Sequence, residues 1–109
     1  MRTIRFSKNW NNKLNDEVFT TIRKSNKGKT LFYRSKINKS FNVILNHEGN
    51  FHYVCKATLI AMNEKKFKEV SLELLMTDTG LSNKEEIDEL FRRFGISAED
   101  EVLILEFRQ

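Results

Sequence analysis

Apolar and polar residues alternate along much of this chain, and the period of that alternation changes from segment to segment. Residues 3–6 alternate with period two and predict a short strand. Ser7 reads as a cap, and Trp10 and Leu14, one turn apart, predict a short helix over 8–14. Residues 17–23 are rich in β-branched and aromatic side chains and predict a strand with Val18, Thr20 and Ile22 on one face. Phe19, Thr21 and Arg23 then share the other. The run 25–30 reads as a basic turn, and 31–35 as a short strand or extended loop.

A hairpin follows. Phe41, Val43 and Leu45 alternate with Asn42, Ile44 and Asn46, the turn lies at 47–50, and 51–61 returns. Strict alternation sets Phe51, Tyr53, Cys55, Ala57 and Leu59 on one face of the returning strand, with His52, Val54, Lys56, Thr58 and Ile60 on the other. A strand this long curls, so a small barrel or a strongly bent sheet is expected. Two helices are predicted next. The first, over 66–76, carries the stripe Phe67, Val70 and Leu74. The second opens on a Ser82–Glu85 capping box, with Ile87, Leu90, Phe91 and Phe94 on its apolar stripe. Asp88 with Arg92 and Glu89 with Arg93 are spaced for ion pairs, and Gly95 closes the helix. Residues 101–107 are apolar on both faces in the middle and predict a central, buried strand.

The order is therefore strand, short helix, strand, hairpin, two helices, strand, which is an α+β fold. A chain of 109 residues forms one domain, 1–109, and buries enough surface to stand without a metal or disulfide staple. The chain has no proline and four glycines, and nothing reads as a linker or a repeat. One cysteine, Cys55, has no internal partner, the first residues carry no apolar signal segment, and no run is long enough to span a bilayer. A cytoplasmic location is the expectation.

Charge divides the chain. Residues 1–60 carry twelve Lys/Arg against three Asp/Glu, and residues 61–109 carry seven against twelve, giving +9 and −5 within a net of +4. An excess of one sign in one half marks a surface for phosphates, the plain alternative being basic strands that pair with acidic helices. Arg23, Lys24, Lys27, Lys29, Arg34, Lys36 and Lys39 form the densest positive run, with Phe32 and Tyr33 inside it, an interleaving that suits single-stranded nucleic acid. The plain alternative there is a solvated loop charged for solubility. Lys8, Trp10 and Lys13 place two cations beside an aromatic ring, although a lone Trp more often anchors a core. Thr21 and Arg23 share a strand face and so can line one cleft, the alternative being that Arg23 pairs with an acid such as Asp78. His47, Glu48, His52 and Cys55 match no zinc spacing, and by parity His52 and Cys55 point to opposite faces, so no metal is expected. No nucleophile elbow, Cys–His pair or phosphate loop is present, and Glu64, Glu69 and Glu73 read as a solvated face.

Four segments in order, Phe6-Ser-Lys-Asn-Trp-Asn-Asn-Lys-Leu14, Phe19-Thr-Thr-Ile-Arg23, Lys36-Ile-Asn-Lys-Ser-Phe-Asn-Val43, and Asp78-Thr-Gly80 followed by the helix at 82–94, carry a resemblance that spans nearly the whole chain. The sequence resembles ASCH-type domains of the PUA-like superfamily, in the short form found among bacterial and phage proteins. That resemblance implies a small, mostly antiparallel β-barrel of five or six strands, three helices packed at its openings, and a cleft suited to RNA or a nucleobase. The family pattern G-x-K-x-x-T-x-R is met at Thr21 and Arg23, whereas Asp16 stands in the glycine slot and Val18 in the lysine slot. Relatives that hydrolyse acetylated cytidine are thought to use that lysine and threonine with a glutamate. Here a hydrolase would need another lysine, Lys13 or Lys8, beside Thr21.

The expectation is thus a non-catalytic module for RNA or a nucleotide, with DNA as another polyanion the basic run fits and no cofactor required. A small amidohydrolase or ribonuclease on the same scaffold is the first alternative, and a protein-interaction module using the acidic second half is another. A monomer is the default at this size, with a homodimer as the other possible state.

Overall fold

A computed structural model describes residues 2–109 of the chain. Five strands, β1 (Thr3–Phe6), β2 (Val18–Lys24), β3 (Ser40–His47), β4 (Asn50–Lys66) and β5 (Glu101–Arg108), form one sheet in the order β1-β3-β4-β5-β2. Three helices, α1 (Lys27–Arg34), α2 (Leu72–Thr79) and α3 (Lys84–Arg93), complete an α+β architecture. The sheet is mixed: β1 runs parallel to β3, and the other pairings are antiparallel. Among the described residues no helix is long and apolar enough to cross a membrane.

The apolar run of β5 lies between β4 and β2, the interior position its two-sided hydrophobicity requires. Val102, Leu103, Leu105 and Phe107 are all fully buried. Seventeen residues long, β4 serves two neighbours in turn. Its first half pairs with β3 and its second with β5, and Thr58 pairs with both Ser40 and Arg108. The handover bends the sheet, and two cores result. Phe19, Phe41, Leu59, Leu105 and Phe107 fill one with Ile4 and Phe6 of β1. Ile22 and Val102 meet Leu75, Ile87, Phe91 and Ile96 in the other, beneath α2 and α3. The curl brings side chains of the two edge strands together: the Phe6 and Phe19 rings meet edge-to-face at 6.1 Å, and Arg23 Nη2 donates to the Arg5 carbonyl at 2.7 Å.

The structure departs from the sequence pattern in five places. Residues 27–34, read as a turn followed by a short strand or extended loop, are the helix α1. The Asn26 side chain caps it, accepting from Lys29 N–H at 2.8 Å, and buried Thr30 ties it to Ser25 and Glu64. Capping and tertiary contacts thus override Gly28, a poor helix former placed in the first turn. The helix expected over 66–76 is two pieces. A 3-10 turn at Phe67–Glu69 ends at extended Val70, and α2 starts afresh behind Ser71, whose hydroxyl accepts from Leu74 N–H. In α3 the cap is Asn83 and not Ser82, and Asp88 pairs with Lys84 and not with Arg92. The short helix expected over 8–14 is a 3-10 segment, Trp10–Asn15, broken by left-handed Asn11 and Asn12.

The fifth departure concerns the faces of β4. Val43 pairs with Cys55 but Ile44 pairs with Tyr53, so Val54 is an extra, bulged residue. A bulge shifts the alternation by one. Phe51 and Tyr53 therefore leave the face that Cys55, Ala57 and Leu59 occupy, and both are 60% exposed. By the same shift His52 and Cys55 fall on one face, opposite Leu45 and Val43. Among the described residues no group of three or more His, Cys, Asp or Glu side chains is placed to hold a metal.

Candidate functional site

A cleft of about 340 Å³ opens where β1, β2, the Trp10–Asn15 segment, α2 and α3 converge. The alternation of β2 turns Thr21 and Arg23 toward it, as Ile4 and Phe6 of β1 turn inward on the opposite edge. Arg23 Nε donates to Thr21 Oγ1 at 3.0 Å, and the guanidinium lies 4.8 Å from the centre of the Phe6 ring. Together with the bond to the Arg5 carbonyl, these contacts fix the planar fork in one orientation. Burial lowers the pKa of Arg23, and nearby Tyr33 and Asp78 partly offset that effect. An arginine still remains charged. Among the described residues no carboxylate forms an ion pair with it.

Asp78 is instead engaged by Lys13. Lys13 Nζ stands 2.8 Å from Asp78 Oδ1, and Thr20 Oγ1 donates to the same oxygen at 3.1 Å. The left-handed residues of the Trp10–Asn15 segment make this possible. They turn the chain so that Asn11 Nδ2 donates to the Thr77 carbonyl of α2 while Lys13 points inward. Burial lowers the pKa of Lys13, the charge and hydrogen bond of Asp78 oppose the shift, and neighbouring Arg23 adds to it. Trp10 is half-buried on the cleft wall, edge-on to Phe94 at 6.2 Å, with the Lys8 ammonium over its ring at 4.7 Å. Lys24 and Lys29 stand at the rim, where Lys24 Nζ donates to the Gly95 carbonyl at 2.8 Å.

Of the residues singled out from the sequence, Trp10, Lys13, Thr21, Arg23, Lys24 and Lys29 come together on this one cavity. Lys8 lies in a neighbouring groove beside Glu85, Glu86 and Glu89. Lys27 and Arg34 fall on the far side of α1, facing Glu64 and Glu101. Glu64 accepts from Ser25 and Thr30, which hold its carboxyl below the usual range, and Arg34 adds a smaller pull in the same direction. Lys36 lines a separate groove with Arg2 and Arg5, and Lys39 is exposed. The basic run is therefore divided by α1 and is not one patch. Arg5, Phe6 and Phe94 line the cleft without having been picked out from the sequence. The only trace of Arg5 there was its polar place in the alternation of β1.

Compared with models of known families, with curated proteins and with solved structures, the chain matches none.

Proposed function

We propose that the chain is an ASCH-type, PUA-like module, its curled sheet a small barrel, that binds RNA or a nucleotide in the cleft beside Thr21 and Arg23. The observation that carries this reading is the state of Arg23. A half-buried guanidinium with no carboxylate partner among the described residues, oriented by Thr21 and the Arg5 carbonyl, lines a cavity whose rim carries Lys24 and Lys29. A fork fixed in this way suits a phosphate or the face of a base, and half-buried Trp10 offers a stacking surface on the same wall. The test is fluorescence anisotropy with short labelled single-stranded RNA at several salt concentrations. Affinity should fall with a log–log slope of about −0.7 per phosphate contacted, and Arg23→Lys should weaken binding at every salt. Undiminished affinity in that variant, or no binding at low salt, would overturn the reading.

A hydrolase is the second reading, favoured by the presence of Lys13, Asp78 and Thr21 on one cavity wall. A lysine whose pKa is lowered by burial is closer to a working base than a surface lysine. On this reading N-acylated nucleosides are turned over, and Thr21→Val and Lys13→Met each abolish the product. Absence of product at high protein concentration ends it.

A further inference from the structure

The cleft does not stand alone. A second, wider groove of about 700 Å³ borders it, and Arg5 and Arg23 line both. Beyond these two shared residues, its charged and aromatic walls are Arg2, Phe32, Tyr33 and Lys36. Among the described residues, four of its lining side chains are cationic and none is acidic. The other cationic grooves differ in this respect. Lys27 and Arg34 face Glu64 and Glu101, and Lys8 and Arg93 face three glutamates. Uncompensated positive charge is therefore concentrated where the cleft and the second groove meet.

The second groove also carries an available ring. Phe32 projects from α1 with 44% of its surface exposed, and its edge contacts with Tyr33 and Phe41 hold it in place. The Lys36 ammonium lies 5.7 Å from its centre. Tyr33 stacks on Phe41 behind it, so the platform is anchored in the first core. A held aromatic face beside cations, with no carboxylate to repel phosphate, is the arrangement that grips unpaired bases. On the other flank the Arg5 guanidinium lies 5.4 Å from the centre of exposed Phe51.

We infer that the occupant is a single-stranded polynucleotide of at least two residues, crossing from the cleft to the Phe32 groove over Arg5 and Arg23. The inference rests on the proposed nucleotide-binding reading and assigns its substrate class. One base enters the cleft, the linking phosphate sits against Arg5 and Arg23, and the next base stacks on Phe32. Arg2 and Lys36 hold the phosphate beyond. A free mononucleotide fills only half of this surface.

The experiment is calorimetric titration with mononucleotides, dinucleotides and octanucleotides of uracil and of adenine, each as RNA and as the matched DNA. The wild type should bind the dinucleotide about tenfold more tightly than the monomer, the gain expected of one further stacked base. Phe32→Ala and Lys36→Glu, one removing the ring and the other reversing a surface charge, should each erase that step and leave monomer affinity unchanged. A step with RNA alone assigns the 2′-hydroxyl a contact, and a step with both sugars assigns the shared backbone; either supports the inference. Dinucleotides that bind no better than monomers, or a step that survives in both variants, would overturn it while leaving the cleft reading intact. No binding of any of these by the wild type removes both.

Discussion

Lys13 Nζ and Asp78 Oδ1 stand 2.8 Å apart with only 6% and 7% of their side chains exposed, joining the Trp10–Asn15 segment to α2 across the floor of the cleft. Two ions so deeply buried are costly to separate. Asp78→Ala leaves an ammonium with no counter-charge and takes the acceptor from Thr20. The expected loss is about 3–5 kcal/mol, measured by urea unfolding. The double variant Lys13→Met with Asp78→Leu should lose less than Asp78→Ala alone, because no charge is stranded. If the double variant proves the least stable of the three, the pair is not what holds this corner.

The same pair predicts a pH dependence. Burial lowers the folded-state pKa of Lys13 below its ordinary 10.5, so the unfolded chain binds that proton more tightly than the folded one. Stability from this residue therefore rises with pH between the folded-state value and 10.5, and is lost as pH falls through the folded-state value. Unfolding free energies of the wild type and the double variant, compared over this alkaline window, should diverge in favour of the wild type. A constant difference would contradict the assignment.

Gly80 and Gly95 close α2 and α3, and both have positive φ, +78° and +79°. Left-handed backbone costs an alanine about 1–2 kcal/mol. At Gly80 there is a second cost: a Cβ would lie 3.0 Å from Asn11 Cβ, within the residue that grips the Thr77 carbonyl. A Cβ at Gly95 meets nothing within 4 Å. Gly80→Ala should lower the midpoint of thermal unfolding more than Gly95→Ala. Equal effects would mean that Asn11 gives way freely.

The Val54 bulge makes a prediction that strict alternation reverses. With Phe51 on the solvent face, Phe51→Ala should cost no more than about 1 kcal/mol, the value of its cation–π contact with Arg5. Leu59→Ala, eight positions further along the same strand and fully buried, should cost about 2–5 kcal/mol. Denaturant titrations of the two variants decide between the registers.

The strand elements were legible because their periodicity is local: β1, β2, the hairpin and β5 all lie where the alternation or the two-sided apolar run places them. The face of β2 that carries Thr21 and Arg23 was legible for the same reason. The Val54 bulge was not, because an extra residue leaves the composition of a strand unchanged and shows only in what lies opposite it. Nor was α1, whose signals, Asn26 as cap and Thr30 as anchor, look like those of a turn until Glu64 is brought from another strand. Charge was misleading at a distance. Lys27, Arg34 and Lys36 are close in sequence, yet α1 directs the first two toward glutamates and the third toward Arg2 and Arg5. The partner of Asp78 was equally hidden, since the reach of Lys13 depends on two left-handed asparagines.

The place of β5 between β4 and β2 also bears on how the chain matures on the ribosome. Among the described residues β2 pairs with β5 alone, and α1, the hairpin, α2 and α3 must all emerge after β2 before that strand arrives. Until then the nascent chain carries Phe19 and Ile22 with neither their hydrogen-bonding neighbour nor the core that buries them. Such long-range pairing slows folding and leaves an open edge exposed in the meantime. A translational stall anywhere before residue 101 therefore leaves β2 without its partner, with Phe19, Ile22 and an unpaired strand edge open to association.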